Sequence, residues 1–216
     1  MVADGERMCE KMRTFAAMKK PESPLWRHPV VWLRRFRHRC GYGVHSPFAF
    51  QLIRGVVYER GEFYAYRPLA EWRRTQPCGQ GERLDRLVLR LANEMQPGRV
   101  ALWGEPVGVT RRYVEAGCRR ARVDEVGCGD MPEGVGYDMV YARRPEDLFR
   151  LFDQAAAQAP ERALMVFEGI HRSRQARVGW RAVVADARAT VTFDLYDMGL
   201  VFLHPRLLRQ HYIVNF

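Results

Sequence analysis

From residue 84 onward the chain alternates between short apolar runs and amphipathic stretches, and few folds accept that rhythm. Leu84, Leu87, Val88, Leu91 and Met95 recur at three- and four-residue steps, which predicts a helix with one buried face. Pro97-Gly98 ends it. Strands are predicted over 100–103, 122–126, 138–142, 163–167, 190–195 and 199–203, with a further one over 212–215. Helices are predicted between them at 109–118, 145–158 and 173–187; Ala176, Trp180, Val183, Val184 and Ala187 share one face of the last. Short apolar strands separated by amphipathic helices imply an α/β protein with a mostly parallel sheet covered on both faces. The run TVTFDLYDMGLVFL joins its two strands by a few residues only, so that pair is expected to be antiparallel.

The first 78 residues read differently, as a basic N-terminal helical extension, with the α/β domain over 79–216. The polar break RTQPCGQG marks the boundary. Between Lys19 and Cys40 stand seven bases and one acid, so +6 of the net +10 lies in this window. Trp26, Trp32 and Phe36 interleave with the arginines there. Such a segment can neutralise phosphates and stack on bases, which makes nucleic acid a candidate partner through Lys19–Arg39. It suits better an amphipathic helix whose aromatics pack on the domain while its arginines face water, and less well a helix lying on a membrane surface. No run approaches the roughly 20 apolar residues of a membrane-spanning helix, and the N-terminus lacks the apolar core of a secretory signal. A cytoplasmic location is the expectation. The five cysteines are odd in number and contain no C-x-x-C pair, which suits reduced thiols. His38, Cys40 and His45 lack a second ligand pair at zinc spacing, so no metal site is expected.

Three motifs carry chemistry. The first is Leu102-Trp103-Gly104-Glu105-Pro106-Val107-Gly108-Val109-Thr110, a strand, a Gly-x-x-x-Gly turn and a helix start. Such a turn lets backbone approach a nucleotide and aims a helix N-terminus at it, although a ligand-free tight turn uses the same glycines. The second is Phe167-Glu168-Gly169-Ile170-His171-Arg172-Ser173, at a strand's C-terminal end, the edge where open α/β sheets bind ligands. Glu168 and His171 are candidate acid, base or substrate anchor; the alternative has Ser173 capping a helix and His171 simply packing. The third is Gly41-Tyr42-Gly43-Val44-His45-Ser46-Pro47-Phe48, a turn followed by a capped helix with Ser46 as cap and Pro47 in the first turn.

In order and spacing these segments resemble a group of bacterial class I S-adenosylmethionine-dependent methyltransferase-like proteins. That group carries G-x-G-V-H-S-P-F, then E-L-G-T-S-L-G-I-S-T, then D-D-I-H-W-S. The resemblance runs from about Arg39 to the C-terminus and includes Tyr113, Trp180, the 192–202 tail and His211-Tyr212. It implies a Rossmann-like sheet and S-adenosylmethionine as cofactor, gripped at Gly104, Glu105 and Gly108, with Glu125 a substitute anchor for the ribose. It further implies Glu168, His171 and His45 as catalytic candidates, acting on an unknown acceptor.

The departures are specific. The acid at the end of the first strand falls at Leu102, and D-G-N-H becomes Tyr141-Ala142-Arg143-Arg144. The paired aspartates become Glu168-Gly169, which argues against a metal-dependent variant. The stretch between Cys118 and Tyr137 is short by about one βα unit, the unit that supplies the ribose carboxylate in the group resembled. VDEVGCGD can be read as the second strand, bringing Glu125 to the site, or as a later one, leaving no anchor. Two functions follow: a methyltransferase-like protein, or a catalytically inactive pseudo-methyltransferase serving as an interaction module.

Overall fold

The computed structural model describes residues 46–76 and 81–216. The 1–45 segment, with His38, Cys40, His45 and the basic window, lies outside the described residues, as does the proposed boundary at 78. After α1 (Pro47–Leu52), a π-helical turn (Ile53–Val57), α2 (Tyr66–Arg73) and α3 (Glu82–Met95), the chain enters the sheet at β1 (Arg99–Trp103). There follow α4 (Gly108–Gly117), β2 (Arg122–Val126), β3 (Met139–Ala142), α5 (Leu148–Gln158) and β4 (Leu164–Glu168). Then come α6 (Arg174–Ala185), β5 (Val191–Asp194), β6 (Met198–Phe202) and β7 (Gln210–Ile213).

The seven strands form one sheet in the order β2-β1-β3-β4-β6-β5-β7. β1 pairs parallel with β2 on one side and β3 on the other, and β3 pairs parallel with β4. β6 runs antiparallel between β4 and β5, as the short 195–197 connection requires, and β7 adds parallel to β5. β5 therefore points the same way as β1–β4, so all five end at one edge. The expected α/β class, Rossmann-like and mostly parallel with an antiparallel C-terminal pair, is the observed one. The shortening has a concrete form: residues 127–138, crossing from β2 over β1 to β3, contain no helix.

Period-two alternation sorts the strand residues onto two cores. Val100, Leu102, Met139, Tyr141, Leu164 and Val166 face α1, the π-turn, α3 and α4. Ala101, Trp103, Val140, Ala142, Met165 and Phe167 face α5 and α6. The helices that precede the sheet thus share its core, with Ala49, Leu52, Ile53, Val56 and Val57 packed in the first layer. Ser46 caps α1 through the Ala49 amide at 3.4 Å, and Ser173 caps α6 through the Ala176 amide at 3.0 Å, as the sequence predicts.

One buried polar group ties three of these helices together. Asp85, on α3, is fully buried; it accepts from the Arg73 guanidinium at the end of α2 and from the Thr110 hydroxyl of α4, 3.1 Å away. Burial pushes its carboxyl above the usual range against the pull of Arg73. Truncating one partner of such a pair strands the other charge, so Asp85→Ala is expected to cost about 3–5 kcal/mol. A urea melt reads this directly, and a loss below about 1 kcal/mol would show that the pair is not a strut.

Candidate functional site

Five strands deliver their C-terminal ends to one edge, and backbone strain collects there. Gly104 follows β1 with φ +97°, Arg144 follows β3 with φ +47°, Gly169 follows β4 with φ +78° and Tyr196 follows β5 with φ +73°. Two of the four are not glycine, and left-handed backbone at such residues persists only where the surroundings enforce it. Gly104 has a second constraint: a Cβ there would lie 3.0 Å from the Arg143 carbonyl oxygen. The turn into α4 therefore depends on glycine, and it includes a cis Glu105–Pro106 bond.

Beside this turn lies a crevice of about 860 Å³ on the α5 side, between the ends of β1 and β3 and the loop after β2. This is where strand order reverses about β1, the switch point at which open α/β sheets take ligands. Its walls include Trp103, Glu105, Asp130, Arg143, Arg144 and Arg172. The Trp103 indole donates to the Gly129 carbonyl at 2.7 Å, which pins the β2 loop against β1.

Glu168 lies at the end of β4 with its side chain 2% exposed. It accepts from the Tyr141 hydroxyl at 2.8 Å and from Arg144 Nε at 2.6 Å, and Arg143 Nε stands 3.8 Å away. Burial and the adjacent carboxylate hold the Tyr141 phenol well above its ordinary range, so it keeps its proton and donates the hydrogen bond to Glu168. Arg143 also donates to the Pro106 carbonyl, closing the guanidinium over the glycine turn.

His171, three residues on, reaches across the start of β6 to β5. Its Nε2 lies 2.7 Å from Asp194 Oδ2, and its ring stacks on Tyr196 with centroids 5.2 Å apart. Asp194, 4% exposed, also accepts from the Tyr196 amide at 2.9 Å. Glu125 lies elsewhere. It leaves β2 on the face toward α4 and pairs with Arg111 at 3.0 Å. Its register opposite Leu102 settles that VDEVGCGD is the second strand, and it also directs this carboxylate to the α4 face. Gly108 opens α4. No group of three or more His, Cys, Asp or Glu suited to a metal occurs among the described residues.

Sequence reasoning brought Glu168 and His171 to the edge but missed Asp194, Tyr141 and Arg172. Asp194 had a readable signal, an acid closing a predicted strand that runs parallel to β4. The Tyr141–Glu168 contact had none, because it depends on β3–β4 register.

No family model and no curated protein sequence matches the chain. Solved methyltransferase structures do match it. The O-methyltransferase TomG from Streptomyces achromogenes, in complex with SAM, is 15% identical over 67% of this chain and 91% of its own, with TM-score 0.49. Cofactor-bound Rv0187 from MTB is 12% identical over 64% and 88%, TM-score 0.49. The Bacillus cereus O-methyltransferase in complex with SAH is 9% identical over 66% and 92%, TM-score 0.46.

Glu168→Ala is expected to destabilise the fold by about 1–3 kcal/mol, because the buried Tyr141 hydroxyl loses its acceptor while half-exposed Arg144 regains water. Glu168→Gln, which keeps one acceptor, is expected to cost roughly half as much. Equal urea midpoints for the two variants would contradict the assignment of Glu168 as a charged anchor.

Proposed function

We propose that the protein is an S-adenosylmethionine-dependent methyltransferase-like protein whose acceptor lies over the ends of β4 and β5. The crevice at the switch point carries this reading. Its volume falls in the range of roughly 300–1,000 Å³ typical of small-molecule sites, and its lining fits the nucleoside part of the cofactor. Trp103 offers a flat apolar wall; Glu105 and Asp130 offer acceptors for hydroxyl and amino groups. Gly104 and Gly108 bring the backbone close to the ligand. Glu125 pairs with Arg111 on the α4 face of the sheet, opposite to the face of Trp103, and is retained as a candidate for the ribose.

When bound, the cofactor would supply an electrophilic methyl group. The chain's own task is to orient an acceptor, exclude water and remove a proton. His171 suits the last role. Asp194 holds Nε2 and Tyr196 packs on the ring face, so the imidazole is oriented. Glu168, enclosed by Tyr141 and Arg144, serves as a structural anchor in this scheme. His45 is retained as a candidate from the N-terminal segment.

A second reading, the non-catalytic interaction module, is favoured by one observation. Arg143 and Arg144 stand at the strand ends beside the glycine turn, and positive groups there disfavour a sulfonium cation.

Isothermal titration with S-adenosylmethionine and S-adenosylhomocysteine separates the two. The methyltransferase reading expects saturable heat with both; silence with both would leave the module. If transfer is detected, His171→Ala is expected to slow it by about 10²–10⁴-fold while cofactor affinity stays within about twofold.

A further inference from the structure

Among the described residues, three of the four arginines that line the crevice stand where β3 and β4 end. These are Arg143, Arg144 and Arg172; Glu168 pairs with Arg144 at 2.6 Å and stands 3.8 Å from Arg143, and Arg172 has no carboxylate partner among the described residues. Arg143 Nη1 is committed to the Pro106 carbonyl, Arg144 Nε to Glu168, and Arg172 Nη2 to the Arg144 carbonyl at 3.2 Å. A guanidinium carries five N–H donors, so each side chain retains donors beyond these bonds.

The remaining acids of the crevice sit on its loops. Asp130 pairs with Arg150 at 2.7 Å, and Asp147 caps α5 through the Arg150 amide at 3.0 Å. Glu105 and Glu146 stand on the rim.

Gly169 lets Arg144 and Arg172 approach each other. A Cβ at this position would lie 3.1 Å from Arg172 Cδ and 3.3 Å from Arg144 Cγ, so the two stems cross where a side chain would be. Its φ of +78° turns the chain so that Arg172 doubles back on the Arg144 carbonyl. Arg144 in turn takes left-handed backbone and remains about half exposed, its side chain at 48%. A guanidinium is a planar forked donor that matches the oxygens of a phosphate or carboxylate.

We infer that Arg144 and Arg172, crossing over Gly169 with Arg143 behind them, form a binding site for an anionic group of a small-molecule ligand. The chemistry is that of a phosphate or a carboxylate. This site does not require the methyl-donor reading, since it is built from β3 and β4 loop residues and acts on charge alone.

The test titrates the full chain with inorganic phosphate and, separately, with malonate, at constant ionic strength in chloride. Saturable binding of either anion is expected, with the stronger one identifying the group. Arg172→Ala should weaken it about tenfold or more, and Arg172→Lys should restore only part. Gly169→Ala, which displaces both stems, should weaken it as well. Arg181→Ala, on the exposed face of α6, should leave it unchanged. Three results would overturn the proposal: no saturable heat, unchanged binding in Arg172→Ala, or equal losses in Arg172→Ala and Arg181→Ala, which would mark diffuse charge. Cofactor titration of the same sample is a separate readout: phosphate binding without cofactor binding rejects the methyltransferase reading and keeps the anion site.

Discussion

A carboxylate buried where two parallel strands end organises one edge of this sheet. Glu168 is inaccessible, on the strand face that also carries Leu164 and Val166, and a carboxyl group buried there needs donors close at hand. Tyr141 and Arg144 supply them from the neighbouring strand and its loop. Those donors reach it because β3 and β4 pair in one register, with Ala142 opposite Phe167. Reversed backbone at Arg144 and Gly169 then sends two arginine side chains over the sheet edge. Arg144, which lines the crevice, is tied to this one acid.

The sheet explains why the crevice lies on the α5 side. Crossing from β2 to β3 without a helix leaves the 127–138 loop to cover the end of β1, and the Trp103 indole fixes it at Gly129. In a complete doubly wound half, a helix and a further strand would occupy that side. Here a loop does, so the wall facing Trp103 consists of backbone and short side chains such as Cys128 and Asp130. β7, parallel to β5, extends the opposite end of the sheet.

Much of the fold was legible because buried parallel strands are near-continuous apolar runs and their helices carry one apolar face. β2 keeps the predicted bounds, and the antiparallel pair was forced by its short connection. The site was legible only in part. Glu168 and His171 lie in a recognisable strand-end motif, and Gly104 in a recognisable turn. Their partners Asp194 and Tyr141 are 23 and 27 residues away in sequence, and register alone brings them near. Glu125 shows the converse: its position in β2 was readable, but its direction depends on pleat and on Arg111 across the sheet face. Left-handed Arg144 and Tyr196 carry no sequence signal, since neither residue type favours that conformation.

Gly169 also constrains how such an edge can change over time. A carboxylate introduced there alone would enter a left-handed backbone position and meet the stems of Arg172 and Arg144 within 3.3 Å. The substitution would be tolerated only after those arginines had moved or been replaced, and Arg144 cannot be replaced freely while Glu168 is buried beneath it. An acidic edge and the present basic edge are therefore separated by several mutually dependent substitutions.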